Sequence, residues 1–145
     1  MNVTEVTEGN DIYLTARVRL ADSTLVDSAD FASAAGGDTV IEVRVFDMTK
    51  ESLGTGSNGR QVLSDDITKT DIGTYLFDTL QTDGYWNGVD DTGYNFRYRA
   101  KASGSAPVFA YEAGHRYQIE FALLTDSQGK IRWAQQFYVR SLLAL

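Results

Sequence analysis

The chain has no cysteine and a single histidine, His115, in 145 residues. Without cysteine there is no disulfide framework, no thiolate nucleophile and no thiolate zinc centre. One histidine excludes every metal site built on a pair of imidazoles and leaves one imidazole for acid–base work. Apolar runs are only a few residues long, the tail Leu142-Leu143-Ala144-Leu145 among them, far below the roughly 20 residues of a membrane-spanning helix. No contact with a membrane is expected. The opening MNVTEVTEGND has neither the basic nor the apolar stretch of a secretory signal, so folding in a cytoplasm is expected. No window of ten or more residues carries a helical apolar stripe.

What is present suits one globular domain. Hydrophobic residues make up 43% and charged residues 23%, enough apolar side chain for a core without covalent staples. The net charge of −7 argues against non-specific nucleic-acid binding by the whole chain. That charge is unevenly spread. Residues 1–91 hold 17 acids and 6 bases, and residues 92–145 hold 3 acids and 7 bases. One reading is acidic loops and chance; the other is complementary faces that meet between subunits.

Period-2 alternation recurs and marks strands with one buried face. In Asp11–Leu20, Ile12, Leu14, Ala16, Val18 and Leu20 alternate with polar residues. Thr39–Asp47 repeats the pattern with Ile41, Val43 and Val45, and Tyr94–Ala102 with Phe96, Tyr98 and Ala100 against Asn95, Arg97, Arg99 and Lys101. His115–Leu124 sets Tyr117, Ile119, Phe121 and Leu123 inward, and Gly73–Phe77 reads as a short strand. In Lys130–Leu143, Gln135 interrupts the phase of Ile131, Trp133, Phe137 and Val139, which predicts a bulge or a switch of partner sheet near Ala134–Gln136. The turn Asp126-Ser127-Gln128-Gly129 predicts a hairpin between the last two strands. Residues 21–38 and 48–66 read as long polar loops, with a short helix within Ser28–Ala35. About seven strands predict an all-β, two-sheet antiparallel sandwich over residues 11–140, between a flexible segment 1–10 and a docking tail 141–145.

Few residues suggest chemistry. Gly54-Thr-Gly56-Ser-Asn-Gly59 spells a dinucleotide fingerprint, but no strand–helix context surrounds it, so it reads as a hairpin loop and no cofactor is expected. Asp83, Asp90 and Asp91 offer oxygen ligands for calcium in a turn-rich segment. The spacing is not that of an EF-hand and its bidentate glutamate is missing, so these residues read equally as turn formers, and no required metal is expected. Tyr85, Trp86 and Tyr94 flank the same turns and suit a sugar or protein partner, unless Trp86 caps the core. His115 has no recognisable nucleophile partner, and no catalytic residue is assigned. Arg97, Arg99 and Lys101 share one strand face, either as solvated residues of an outer sheet or as a dock for an acidic surface. Leu142, Leu143 and Leu145 lie beyond the last patterned strand and are expected to pack on the domain or on a neighbour.

Two strand starts, Gly73-Thr-Tyr75 and Gly114-His-Arg-Tyr117, precede the ending Tyr117-Gln-Ile-Glu-Phe121, a Gly129 turn and Gln136-Phe-Tyr-Val139. In this the last third of the chain resembles the immunoglobulin-like sandwich modules of tailed-bacteriophage structural proteins. Trp86-Asn-Gly-Val-Asp-Asp-Thr-Gly93 also looks like a turn of flagellar hook-capping Ig-like domains, although Tyr94-Asn-Phe96 follows directly where that family places a Gly-x-Tyr strand. The resemblance implies a non-enzymatic virion protein, a tail, neck or capsid-decorating component. Its partners would be other virion subunits in a homo-oligomer, ring or lattice. A carbohydrate-binding or adhesion module and a small hydrolase with a spatially assembled carboxylate pair are the competing expectations.

Overall fold

The structure, a computed structural model, describes residues 3–49, 60–81, 94–109, 111–126 and 129–141. Among them are eight strands: β1 Val3–Thr7, β2 Ile12–Ala16, β3 Thr39–Asp47, β4 Arg60–Thr68, β5 Leu76–Gln81, β6 Tyr94–Ala100, β7 Arg116–Thr125 and β8 Gly129–Arg140. They form a five-stranded sheet, β1-β8-β7-β3-β4, and a three-stranded sheet, β2-β6-β5. The predicted all-β sandwich is therefore present. All pairings are antiparallel except β1 with β8. Taking β2 to β8 as strands B to G, with β4 as C′, the sheets carry the B-E-D and G-F-C-C′ orders of an immunoglobulin-type sandwich.

The core lies where the alternating inner faces meet. Ile12, Leu14, Phe96 and Tyr98 of the small sheet face Val43, Val45, Ile119, Phe121 and Phe137 of the large one, all at most 4% exposed. Phe96 meets Phe121 edge-on at 5.1 Å between ring centroids, and Tyr98 meets it at 5.6 Å. Each such side chain contributes about 1.5–3 kcal/mol on leaving water, which is why the period-2 residues choose this face. Tyr117 adds a tyrosine corner: its hydroxyl accepts the Glu112 N–H at 2.8 Å, across a turn in which Gly114 takes φ +84°.

Several expectations need correction. The segment expected to extend freely, 1–10, contributes β1, an edge strand parallel to β8 from Val3↔Gln136 to Thr7↔Arg140. Most of the expected loop 48–66 that is described is β4, whose register shifts between Val45 and Phe46 and whose inner face carries Asp65, bonded to Tyr98 Oη at 2.8 Å. A bulge and an inward acid erase the alternation that would have revealed it. Gly73 belongs to a 3₁₀ turn, Ile72–Thr74, with the strand starting at Leu76. The hairpin β7–β8 forms as predicted, but its register runs unbroken from Arg116↔Tyr138 to Thr125↔Gly129, without a bulge. Nor does β8 switch sheets: it stays in the five-stranded sheet throughout and gains β1 there as a second neighbour from Gln136 onward. Gln135 stays half-buried and donates from Nε2 to the Thr15 carbonyl at 3.1 Å, across to the other sheet. Trp133, expected in the core, is only half-buried, stacked on Phe121 at 5.1 Å.

Loop 21–38 is tied down. Asp27 and Asp30 cap a 3₁₀ turn, Ser28–Phe31, in the predicted helical stretch. The Asp126 carboxylate accepts from the Ser33 N–H at 3.0 Å and from its hydroxyl, and the Asp126 N–H donates to the Asp30 carbonyl. Those bonds to Ser33 hold the Asp126 carboxyl below its ordinary range.

Candidate docking face

The outer side of the three-stranded sheet is built by the residues that alternate away from the core. On β2, Tyr13 stands opposite Arg99 of β6, and Thr15 opposite Arg97. Tyr13 is 42% exposed, the one large apolar side chain so exposed among the described residues. The guanidinium carbons of Arg97 and Arg99 lie 5.7 and 5.9 Å from the centre of its ring. One guanidinium comes from the directly opposed position and the other from the diagonal, the two sets of cross-strand neighbours a pleated sheet brings within reach. Each such contact is worth about 0.5–1 kcal/mol at an exposed site, enough to favour this arrangement of the ring and both cations. Beyond the end of β2, Arg17 lies 5.4 Å from the Tyr94 ring.

Asp11 anchors one side of this face. Its carboxylate accepts the Ala102 N–H at 2.8 Å and Arg99 Nε at 2.7 Å. The Ala102 N–H first, and Arg99 second, hold the Asp11 carboxyl below its ordinary value. Arg99 is thus already paired within the chain, half of its reach spent on Asp11 and half on Tyr13. Lys101 is half-buried and sits at an isolated bridge to Val108.

The charge asymmetry of the sequence is also used within the chain. Asp11–Arg99, Glu42–Lys130 at 3.0 Å and Glu5–Arg140 at 3.1 Å each join an acid of the first part to a base of the second, and Asp47 is hydrogen-bonded to His115 at 2.7 Å. The exposed pairs contribute little stability individually, but their shared direction fits the two halves of the chain together.

Two other features share the surface. On the outer side of the large sheet, a shallow depression of about 300 Å³ is lined by Glu42, Arg44, Glu120, Ala122, Lys130 and Arg132. Its rim is internally paired, Arg44 to Asp66 at 2.8 Å and Lys130 to Glu42. At the end of β3, buried Asp47, exposed Glu112 and His115 converge, with both carboxylates facing Nδ1 of the imidazole.

Of the residues singled out from the sequence, the structure brings Arg97 and Arg99 together around a residue the sequence reading left out, Tyr13. The alternation of Asp11–Leu20 places Tyr13 outward, but only the pairing of β2 with β6 sets it beside Arg97 and Arg99. Tyr94 joins Arg17 rather than this pair. Tyr85, Trp86, Asp83, Asp90, Asp91, Leu142, Leu143 and Leu145 lie outside the described residues. No protein-family model matches the sequence, and neither a curated protein nor a solved structure matches it.

Proposed function

We propose that the chain is a non-enzymatic virion structural protein, a tail, neck or capsid-decorating component, which docks through the outer face of its three-stranded sheet onto an acidic surface of another subunit. The observation that carries the docking is Tyr13, held exposed between Arg97 and Arg99. Tyr and Arg are the side chains enriched where interfaces concentrate their affinity, Tyr because it offers large contact area at low cost in conformational freedom and Arg because its planar guanidinium both stacks on rings and bonds carboxylates. A neighbouring copy supplies a fitting partner, since the first 91 residues carry a large acidic excess. The virion assignment rests on the resemblance of Gly114–Val139 to phage sandwich modules, together with the sandwich itself.

The test is to band particles from cells that make the chain on a density gradient and probe the fractions with antibody to it. The chain is expected in the particle band, and a Tyr13→Ala, Arg97→Glu variant that folds normally is expected to be lost from it. A chain that stays at the top of the gradient overturns the proposal.

A further inference from the structure

We infer that Asp47, Glu112 and His115 form a binding site for a divalent transition-metal ion of the zinc and cobalt class. Asp47 closes β3 and is fully buried. Its Oδ1 is fixed by the Thr49 N–H at 3.0 Å, and its Oδ2 lies 2.7 Å from His115 Nδ1. Glu112 Oε2 lies 3.3 Å from the same nitrogen, and the three donor atoms all fall within 4.8 Å of one another. Ligand atoms about 2.0–2.2 Å from one metal ion are separated from each other by about 2.9 Å in octahedral and about 3.3 Å in tetrahedral geometry. The two separations from Nδ1 fall close to that range, so an ion can take the place of the Nδ1 proton once the exposed Glu112 side chain adjusts toward Asp47.

Charge and ligand type choose the ion. Two carboxylates converge on one imidazole nitrogen, a set of anionic oxygen and nitrogen donors that suits a divalent cation. Imidazole selects zinc-like metals over magnesium and calcium, which take six or more oxygen ligands. Three protein ligands leave at least one coordination position open, on the side of Glu112, which is 61% exposed.

The site is also preorganised. The His115 ring stacks on Tyr117, with centroids 6.2 Å apart and planes 27° apart. The Tyr117 hydroxyl holds the Glu112 backbone, and the His115 N–H and C=O are both bonded, to Glu112 and Val139. Little ordering remains to oppose binding, so the ligands cost less to assemble than in a flexible loop. Bound metal would staple the end of β3 to the turn before β7, across 68 positions of sequence. This separation is why the sequence alone pointed to the contiguous Asp83, Asp90 and Asp91 instead. The inference does not depend on the docking proposal.

The experiment uses the full chain, stripped with chelator and titrated with ZnCl₂ by calorimetry and with CoCl₂ by visible absorption. One ion per chain is expected, with a rise in melting temperature of about 5 °C at saturating zinc. Glu112→Ala, at an exposed position, should keep the fold and weaken binding by tenfold or more, and His115→Gln should abolish it. No saturable uptake up to about 1 mM metal overturns the inference. So does uptake of equal affinity in parent, Glu112→Ala and His115→Gln, because the ion then sits elsewhere.

Discussion

Asn95 occupies a position that alternation along Tyr94–Ala102 assigns to solvent, yet it is fully buried. The chain after Ala16 crosses over it, and the side-chain amide serves that chain as a neighbouring strand would. Oδ1 accepts the Val18 N–H at 2.7 Å, and Nδ2 donates to the carbonyls of Val18 at 3.0 Å and Val26 at 3.1 Å. This explains why apolar alternation continues through Val18 although the strand ends at Ala16. Asn95→Ala should cost about 3 kcal/mol or more in urea denaturation, because backbone groups of Val18 and Val26 lose their buried partner. A loss below about 1 kcal/mol would mean that water replaces the amide. Asp11 supports a pH prediction. Its folded carboxyl titrates below the ordinary 3.8, so its contribution to stability is fully present above that value and is lost as pH falls through the folded pKa. The melting difference between parent and Asp11→Asn should therefore be constant near neutrality and close progressively below about pH 4. Of the candidate site, the arginines were legible in the sequence, because alternation alone places them outward. The pairing with Tyr13 was not, because cross-strand register depends on which distant strand lies alongside.

Strands with one clean apolar face, such as β3 and β7, were legible for the same reason that they are stable: each inward residue loses water on folding. Phe121→Ala should cost about 3–5 kcal/mol, since the ring touches Phe96, Tyr98 and Trp133. β1 and β4 escaped notice because edge strands are excused from the full pattern. β4 carries an inward acid and a register shift, and β1 presents Val6 as a partly buried residue packed on the core. β1 nevertheless covers the β8 edge of the large sheet. Removing residues 1–8 exposes the backbone groups of Gln136–Arg140, and an uncovered edge recruits strands from other chains. The truncated protein should run as larger species than the parent in size-exclusion chromatography with light scattering. Identical elution would show that the edge needs no cover.

At the scale of the whole molecule, three ion pairs and the Asp47–His115 hydrogen bond fasten the acidic first part of the chain to the basic remainder, so much of the apparent polarity is internal. Arg97 and Tyr13 remain on the outer face, and their effect on a partner should be kinetic. Association measured by surface plasmon resonance against a particle fraction should slow in high salt and in Arg97→Glu, with the melting temperature nearly unchanged. The parallel pairing of β1 and β8 adds a mechanical consequence. A load drawing Val3 outward from one end and Ser141 from the other pulls two parallel neighbours in opposite directions along their length. The bonds joining Val3–Thr7 to Gln136–Arg140 then bear the force together, in shear, rather than opening one after another like a zip. Stretched between its two ends, the chain should yield abruptly at a high force, whereas a load applied across the β7–β8 hairpin should peel it open gradually.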